Sequence, residues 1–428
     1  MKRPSLKVAG VCMATCAAVL VASCSGTVEG QEEGYVPGEG FAAVPGLKGG
    51  QDVFGPYDPV EGWPKPLAES LPDHEGWTWS QATDVFAESP DRVIVAQKGE
   101  LPVLPDSIPR TWLPELGAGI KFPVGGGVPE REAASTTPSH GRAAADGSNG
   151  RPGIDWRWEH LIAVFDRQGN MIEDWSKWDD MWGRPHDVEI SPYDPEKHVW
   201  IVDADNHAVH KFTNDGSELL LTLGTPGEPG TDDTHFGRPT FLAFMDANTM
   251  YLADGYDGTR VIKYDMDGNK IMEWGMKGTP PDEQRPGYFS SVHGIAVDPT
   301  TRRVFINDRN NGRVQVFDEN GEFLDQWSMG PRPPMNIHDI YMGSDGVLWA
   351  ADQGSSKLNA YTADGQFIYS WGTFGTCQGC MWGVHGFHTD TEGNLYTSEV
   401  RTGRVQKYAP REGANPAFLV GKPWPRVW

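Results

Sequence analysis

From about residue 82 onwards, hydrophobic residues fall into short runs separated by turn residues, and the runs come in groups of four. One group begins His293-Gly-Ile-Ala-Val-Asp and continues through residues 303–308, 313–318 and 323–327. Each run is short, and its apolar residues either alternate with polar ones or are β-branched, which is typical of β-strands. A Gly-containing pair that favours a hairpin separates the third run from the fourth. These pairs are Gln168-Gly169, Asp215-Gly216, Asp267-Gly268, Asn320-Gly321 and Asp364-Gly365.

A four-stranded unit that recurs about every 50 residues predicts a β-propeller blade. The first runs begin at Thr83, His186, Thr240, His293, His338 and His385. We therefore expect an all-β fold, a six-bladed propeller over residues 81–428. Blade one takes runs 83–87, 93–97, 161–166 and 171–175, and an insertion of about 105–160 interrupts it. Blade six begins at His385, includes 405–408 and is expected to end with 418–420. Residues 24–80 form a tether and a wrap around the propeller.

The beginnings of the six first strands should form one ring, because the first strand of every blade lines the central channel. Three of these positions are histidines in blades two, four and six, which lie about 120° apart around a six-bladed ring. Three converging imidazoles suit Zn²⁺ with positions left open for water or substrate. We therefore expect His186, His293 and His385 to hold Zn²⁺. His338 in blade five breaks this symmetry, and its role stays open.

The remaining histidines are not expected at this site. His388 follows His385 by three residues in a strand, so its side chain should point away from that of His385. The others are expected on the surface: His198, His207, His210 and His235.

The loops between second and third strands lie on the same face as the histidines. An acidic residue opens five of these loops, so we interpret the set as structural: Asp203, Asp254, Asp308, Asp352 and Glu399. The residues that do not repeat are Lys98, Tyr256 and Arg309, which would add two cations and a phenol to the histidine face. Cations beside a metal suit a carboxylate-bearing substrate, and the phenol could act as a base. Alternatively, the two cations pair with neighbouring acids and Tyr256 packs on a loop.

The net charge and the N-terminal sequence restrict which partners and which cellular compartment are expected. The chain of 428 residues has a formal net charge of −23, which disfavours nucleic acid or an anionic membrane surface as a partner. Three basic residues precede an apolar stretch at 8–22, and the sequence Val21-Ala22-Ser23-Cys24 resembles a bacterial lipoprotein signal. The resemblance implies removal of residues 1–23, a lipid on Cys24 and export to the cell envelope, with membrane contact through the anchor alone. The alternative is an ordinary secretory signal cut elsewhere.

Two cysteines remain after the signal and Cys24, and they form the sequence Cys377-Gln-Gly-Cys380. In an oxidising compartment a local disulfide is the expected state of such a pair. A redox centre is the alternative, although such centres usually open a helix. A zinc half-site would need a second cysteine pair, which the chain lacks.

Five motifs lie around the ring: Arg184-Pro-His186-Asp-Val, Asp254-Gly-Tyr256, Val292-His293-Gly-Ile-Ala, Asp308-Arg309-Asn-Asn-Gly-Arg313-Val-Gln and Val384-His385-Gly. They resemble those of the peptidyl-α-hydroxyglycine α-amidating lyase family, whose members are six-bladed NHL-type propellers. The similarity runs from about residue 83 to residue 408 without the insertion. It implies that His186, His293 and His385 bind zinc, that Tyr256 is the base and that Arg309 helps to form the substrate site.

Two positions depart from the family. Lys98 stands where the family has a substrate-contacting arginine, and lysine keeps the charge but not the bidentate fork. Gly386 stands where the family has an aspartate that binds a structural calcium, so Ca²⁺ loses that ligand here.

The leading hypothesis is a zinc-dependent lyase that cleaves the C–N bond of a peptidyl- or N-acyl-α-hydroxyglycine to an amide and glyoxylate. Lys98 and Arg309 would hold the substrate carboxylate. The alternative, which Lys98 and Gly386 favour, is a non-enzymatic, lipid-anchored NHL propeller that binds a peptide or protein. A lactonase-like hydrolase is a third possibility, but such propellers usually hold their ion with carboxylates and Asn.

Overall fold

The computed structural model describes residues 54–103, 110–112, 121–123, 152–330 and 335–428. The predicted signal, Cys24 and most of the insertion lie outside these ranges, so lipid attachment and export stay predictions. No helix in the described ranges combines the length and the apolar character that a membrane crossing requires.

Six four-stranded antiparallel sheets form the molecule, which confirms the all-β, six-bladed propeller. The first strand of each sheet contacts the first strand of the next, and blade six contacts blade one, so the ring is closed. Blade one consists of Ala82–Ser89, Arg92–Gln97, Ile162–Phe165 and Met171–Asp174. Blade two consists of Pro185–Ile190, Val199–Asp203, Ala208–Phe212 and Leu219–Leu223. Blade three consists of Pro239–Asp246, Thr249–Asp254, Arg260–Tyr264 and Lys270–Trp274.

The remaining three blades complete the ring. Blade four consists of Val292–Asp298, Arg303–Asp308, Arg313–Asp318 and Phe323–Ser328. Blade five consists of Ile337–Met342, Val347–Asp352, Lys357–Thr362 and Phe367–Trp371. Blade six consists of Val384–Thr389, Leu395–Glu399, Val405–Pro410 and, outermost, Tyr57–Pro59.

The other described elements are short. One α-helix covers Leu67–Ser70, and the 3₁₀ helices are Pro72–His74, Ser176–Met181, Arg309–Asn311 and Pro416–Phe418. Three small sheets pair Trp77–Trp79 with Glu100–Pro102, Arg110–Trp112 with Lys121–Pro123, and Met276–Lys277 with Tyr288–Phe289.

The hydrophobic core is divided among the blade interfaces. Six buried clusters each combine residues of two neighbouring blades, as Phe241 and Tyr251 of blade three do with Val304 and Phe317 of blade four. Because both faces of a blade are covered, its inner strands are buried along most of their length, and each fully buried large apolar side chain contributes roughly 1.5–3 kcal/mol.

The repeated turn glycines and tryptophans form one kind of inter-blade contact. Gly216 adopts φ +64°, and a Cβ atom there would lie 2.2 Å from Cε2 of Trp175 in blade one. Gly321 lies in the same way against Trp274 of blade three. Glycine is therefore required both for the left-handed turn and for space against the indole.

The closure of blade six corrects the prediction for residues 418–420. The fourth strand is Tyr57–Pro59 from the wrap, which pairs antiparallel with Val405–Pro410, whereas Pro416–Phe418 is a 3₁₀ helix. A three-residue run that contains proline carries no strand periodicity, so only the geometry of ring closure reveals it. The wrap also places Trp63 against Phe165 of blade one and Tyr396 of blade six.

Candidate metal centre and active site

Hydrogen bonds between neighbouring blades orient the three ring histidines. Nδ1 of His186 lies 2.8 Å from the carbonyl oxygen of Thr240, and Nδ1 of His293 lies 2.7 Å from that of His338. Nδ1 of His385 lies 2.6 Å from the carbonyl oxygen of Thr83, so blade six is linked to blade one. A carbonyl oxygen only accepts, so each Nδ1 is the donor and each Nε2 keeps its lone pair.

The structure brings His186, His293 and His385 together. One ligand nitrogen from each lies within 4.8 Å of the other two. All three side chains are buried, and burial lowers the pKa of each, that of His385 to about 3. The imidazoles are therefore neutral near pH 7, which is the form that binds a metal.

The donor set fits a zinc ion. Nε2 of His186 and Nε2 of His293 each lie 2.9 Å from the hydroxyl oxygen of Tyr256. A phenol has one proton, whereas three Nε2 lone pairs converge here, so hydrogen bonding alone does not satisfy the cluster. Three neutral imidazoles with room for a further oxygen ligand match a catalytic zinc site.

Guanidinium groups surround Tyr256. The central carbons of Arg184, Arg238 and Arg309 lie 4.7, 4.8 and 5.1 Å from the centre of its ring. Arg184 is mostly buried, and its Nε and Nη2 atoms have no hydrogen-bond partner among the described residues. An anion with two oxygens would satisfy them.

Lys98 lies buried beside this group. Burial lowers its pKa to about 7, and the charges of Arg184 and Arg238 act in the same direction, while Asp205 opposes them. The predicted cations Lys98 and Arg309 and the phenol of Tyr256 therefore lie close to the three histidines. His338 also contacts the cluster, with its ring centre 4.9 Å from that of His385, and its Nε2 accepts a hydrogen bond from Asn336.

The repeated loop acids hold the backbone that precedes the first strand of their own blade. Asp203 accepts hydrogen bonds from the amides of Gly183 and Arg184, and the other four loop acids each accept one from the equivalent stretch of their blade. They therefore position the rim, as the structural interpretation predicted.

Sequence reasoning missed Arg184 and Arg238 as site residues. They occupy the same register, two residues before His186 and Thr240, and their side chains point to the same phenol. A comparison of this register across blades would have found them, because residues that precede a first strand share the rim with the loops. Arg401 and Gln353 also line the pocket above His385.

Two expectations about other histidines have different outcomes. His210 is buried against Trp182 and Phe212, so its surface assignment was wrong; its strand lies between two covered faces. His388 faces away from the metal cluster, and its Nδ1 accepts a hydrogen bond from the amide of Ala87.

Below the histidines the channel carries buried carboxylates. Asp84, Asp187 and Asp339 follow the first-strand starts of blades one, two and five, and burial raises the pKa of each. A Cβ atom on Gly386 would lie 1.9 Å from Oδ1 of Asp84, so the Asp84 carboxylate fills the space that a side chain on residue 386 would need. Cys377 and Cys380 form a disulfide in the loop before blade six.

Comparisons with known proteins agree with this architecture. The NHL repeat model matches residues 289–317. The chain is 27% identical over 277 residues to peptidyl-alpha-hydroxyglycine alpha-amidating lyase 1 of Drosophila melanogaster, covering 60% of this chain and half of the fly protein. It is 29% identical over 296 residues to NHL repeat-containing protein 3 of Mus musculus, covering 64% of this chain and 80% of the mouse protein. These relatives and the six blades confirm the resemblance to the amidating lyases.

Other similarities are shorter or weaker. Peptidyl-glycine alpha-amidating monooxygenase A of Xenopus laevis is 35% identical over 145 residues, which is 33% of this chain and 15% of the frog protein. Among solved structures, virginiamycin B lyase from Staphylococcus aureus is 14% identical, with a TM-score of 0.44, and the match covers 77% of this chain and 95% of that chain.

Proposed function

We propose that this protein is a zinc-dependent carbon–nitrogen lyase that converts a peptidyl- or N-acyl-α-hydroxyglycine into an amide and glyoxylate. The main support is the convergence of three neutral imidazoles, two of which contact the Tyr256 oxygen, with three guanidinium groups around the phenol ring. Relatives named amidating lyases support the same chemistry. Both the reaction and its substrate are therefore part of this proposal.

The cations explain why the substrate would carry a carboxylate. Arg184 and Arg309 lie around Tyr256, and Lys98 lies beside Arg184, in a protein whose net charge is −23. A positive pocket in an acidic molecule selects anions locally, and a guanidinium can hold a carboxylate through two hydrogen bonds. The α-carboxylate of a hydroxyglycine is such a group, and its position fixes the neighbouring carbinol carbon.

The reaction needs one proton acceptor and no oxidant. Zn²⁺ held by Nε2 of His186, His293 and His385 would supply Lewis-acid chemistry for the substrate hydroxyl. Tyr256 takes the hydroxyl proton, the carbinol carbon becomes the aldehyde of glyoxylate, and the C–N bond breaks. The bonding electrons go to nitrogen, which takes a proton from the Tyr256 oxygen, so an amide leaves and the atoms balance.

The test is glyoxylate release from α-hydroxyhippurate by purified, zinc-loaded protein. The variant Tyr256→Phe should lose about 10²–10⁴-fold in kcat, as expected for a lost general base, with zinc content unchanged. Tyr288→Phe is the matched control, because the Tyr288 ring also lies under a guanidinium, that of Arg285, at 3.7 Å, and should keep full activity. Absence of glyoxylate with zinc bound would refute the reaction. Absence of both glyoxylate and bound zinc would favour the alternative, a non-enzymatic propeller that binds a peptide or protein.

A further inference from the structure

A second cluster of metal-binding side chains lies where the wrap meets blade one. His74, Glu100, Glu159 and His160 each place one ligand atom within 4.8 Å of the others. His74 ends the 3₁₀ helix Pro72–His74, and Glu100 begins the strand Glu100–Pro102. Glu159 and His160 close the predicted insertion. His74, Glu159 and His160 lie outside the stretch that resembles the amidating lyases, so the resemblance assigns this cluster no role.

Glu100 is at the centre of this cluster. Its side chain is 0% exposed, Oε1 lies 2.8 Å from Nδ1 of His160, and Oε2 lies 2.8 Å from Nδ1 of His74. Among the described residues the nearest guanidinium nitrogen, Nη1 of Arg157, is 3.9 Å from Oε2, beyond hydrogen-bond length. A carboxylate removed from water needs close positive charge, and in the described part of the chain the two imidazoles contact it at hydrogen-bond length.

Hydrogen bonds alone give His74 conflicting roles. Its Nδ1 lies 3.1 Å from Nη1 of Arg157, which can only donate, and 2.8 Å from Oε2 of Glu100, which as a carboxylate oxygen accepts. One nitrogen cannot offer a lone pair to Arg157 and a proton to Glu100. Arg157 has its own support over the Trp77 ring, at 4.2 Å. A cation between Glu100 and the imidazole nitrogens would remove the conflict.

Neighbouring residues position the candidate ligand His160, as the residues around a metal site do. The amide of His160 donates to Asp179, and its carbonyl oxygen accepts from Gln97, so its backbone is fixed. Asp174 lies 3.6 Å from the other ring nitrogen of His160 and can orient the ring, as a carboxylate behind a metal-binding histidine does. The carboxylate of Glu159 is half exposed and can move inward.

We propose that His74, Glu100, Glu159 and His160 form a second zinc site, which fastens the wrap and the end of the insertion to blade one. Two imidazoles and two carboxylates are zinc ligands, and bonds of about 2.0–2.2 Å would draw the four atoms together. The ion would have a structural role, because it joins three chain segments that lie far apart in the sequence.

The test is elemental analysis of full-length protein after zinc loading and dialysis, with folding checked by tryptophan fluorescence. Wild type should hold two zinc ions per chain, H74A/H160A one, and H186A/H293A one. His235→Ala is the matched control and should hold two, because His235 pairs with Asp232 in a surface turn and belongs to no group of potential metal ligands among the described residues. A folded H74A/H160A variant with the wild-type zinc content would overturn the second site.

A milder variant keeps the proposal testable should H74A/H160A not fold. In the H186A/H293A background, Glu159→Gln removes one half-exposed carboxylate and should weaken zinc binding at least tenfold in competition with a chromophoric chelator. Unchanged affinity would overturn the four-ligand assignment. Wild type with a single zinc that H186A/H293A abolishes would refute this site and leave the proposed lyase centre intact.

Discussion

At Lys98, two physical effects oppose the charge that the pocket needs. Burial removes the ammonium from water, and Arg184 and Arg238 add like charge, so its pKa falls from 10.5 to about 7. Lysine at this place is therefore a cation whose charge depends on pH near neutrality, whereas an arginine would stay charged.

This predicts a pH dependence of kcat/KM for a carboxylate substrate. Below pH 7 the ammonium is charged and binds the carboxylate; as pH rises through about 7 it loses its proton, so kcat/KM should fall on the basic side. In Lys98→Arg the fall should vanish, because a guanidinium keeps its proton over this range, and Lys98→Met should have low kcat/KM throughout. If kcat/KM of Lys98→Arg fell above pH 7 as that of wild type does, the fall would not be due to Lys98.

Arg184 carries a second prediction at this scale. Two of its guanidinium nitrogens are buried without a hydrogen-bond partner in the described part of the chain, so we expect them to bind the substrate carboxylate. Arg184→Met should raise KM about 10–100-fold, the value of a charged hydrogen bond, with a smaller change in kcat. Arg184→Lys should recover part of the affinity. Steady-state kinetics with α-hydroxyhippurate measure both, and an unchanged KM would refute the contact.

Among the elements, the strand Tyr57–Pro59 decides how the ring closes. Tyr57 is fully buried between Trp371 and Tyr408, and its hydroxyl accepts a hydrogen bond from the amide of Val420. A strand that precedes blade one in the sequence thus completes the last blade and ties it to the C-terminal segment at Val420.

Tyr57→Ala should cost about 3–5 kcal/mol in the free energy of unfolding, as other buried aromatic deletions do. The neighbouring Asp58 has an exposed side chain that pairs with Arg411, so Asp58→Ala should cost at most about 1 kcal/mol. Urea denaturation measures both. Equal stability of Tyr57→Ala and wild type would mean that this strand does not close the ring.

At the scale of single elements, the period of the hydrophobic pattern predicted the strands whose partners are close in the sequence. The strands of blades one to five follow from alternation and from Gly turns, because these strands pair with their sequence neighbours, except where the insertion separates the second and third strands of blade one. The pattern failed at Tyr57–Pro59, whose partner lies about 350 residues away, and at His210, whose burial depends on the neighbouring blade.

At the scale of the whole molecule, the three histidines link blades two, four and six across the axis. An ion that binds only the closed ring stabilises it by mass action. In H74A/H160A, which lacks the second cluster, chelation should lower the melting temperature by several degrees and added zinc should restore it. The further substitution His186→Ala should abolish the response. An unchanged melting temperature in H74A/H160A would contradict zinc binding at the axis.

The sequence by itself determined the repeat, the blade count and the positions of His186, His293, His385, Tyr256 and Arg309, because blade geometry places equal register positions on one face. Only the tertiary structure decided which groups meet across blades. It placed Arg184 and Arg238 on Tyr256, Asp84 in the space beside Gly386, and Glu100 between His74 and His160. These contacts depend on the path of the wrap and on packing between blades, and no local periodicity encodes either.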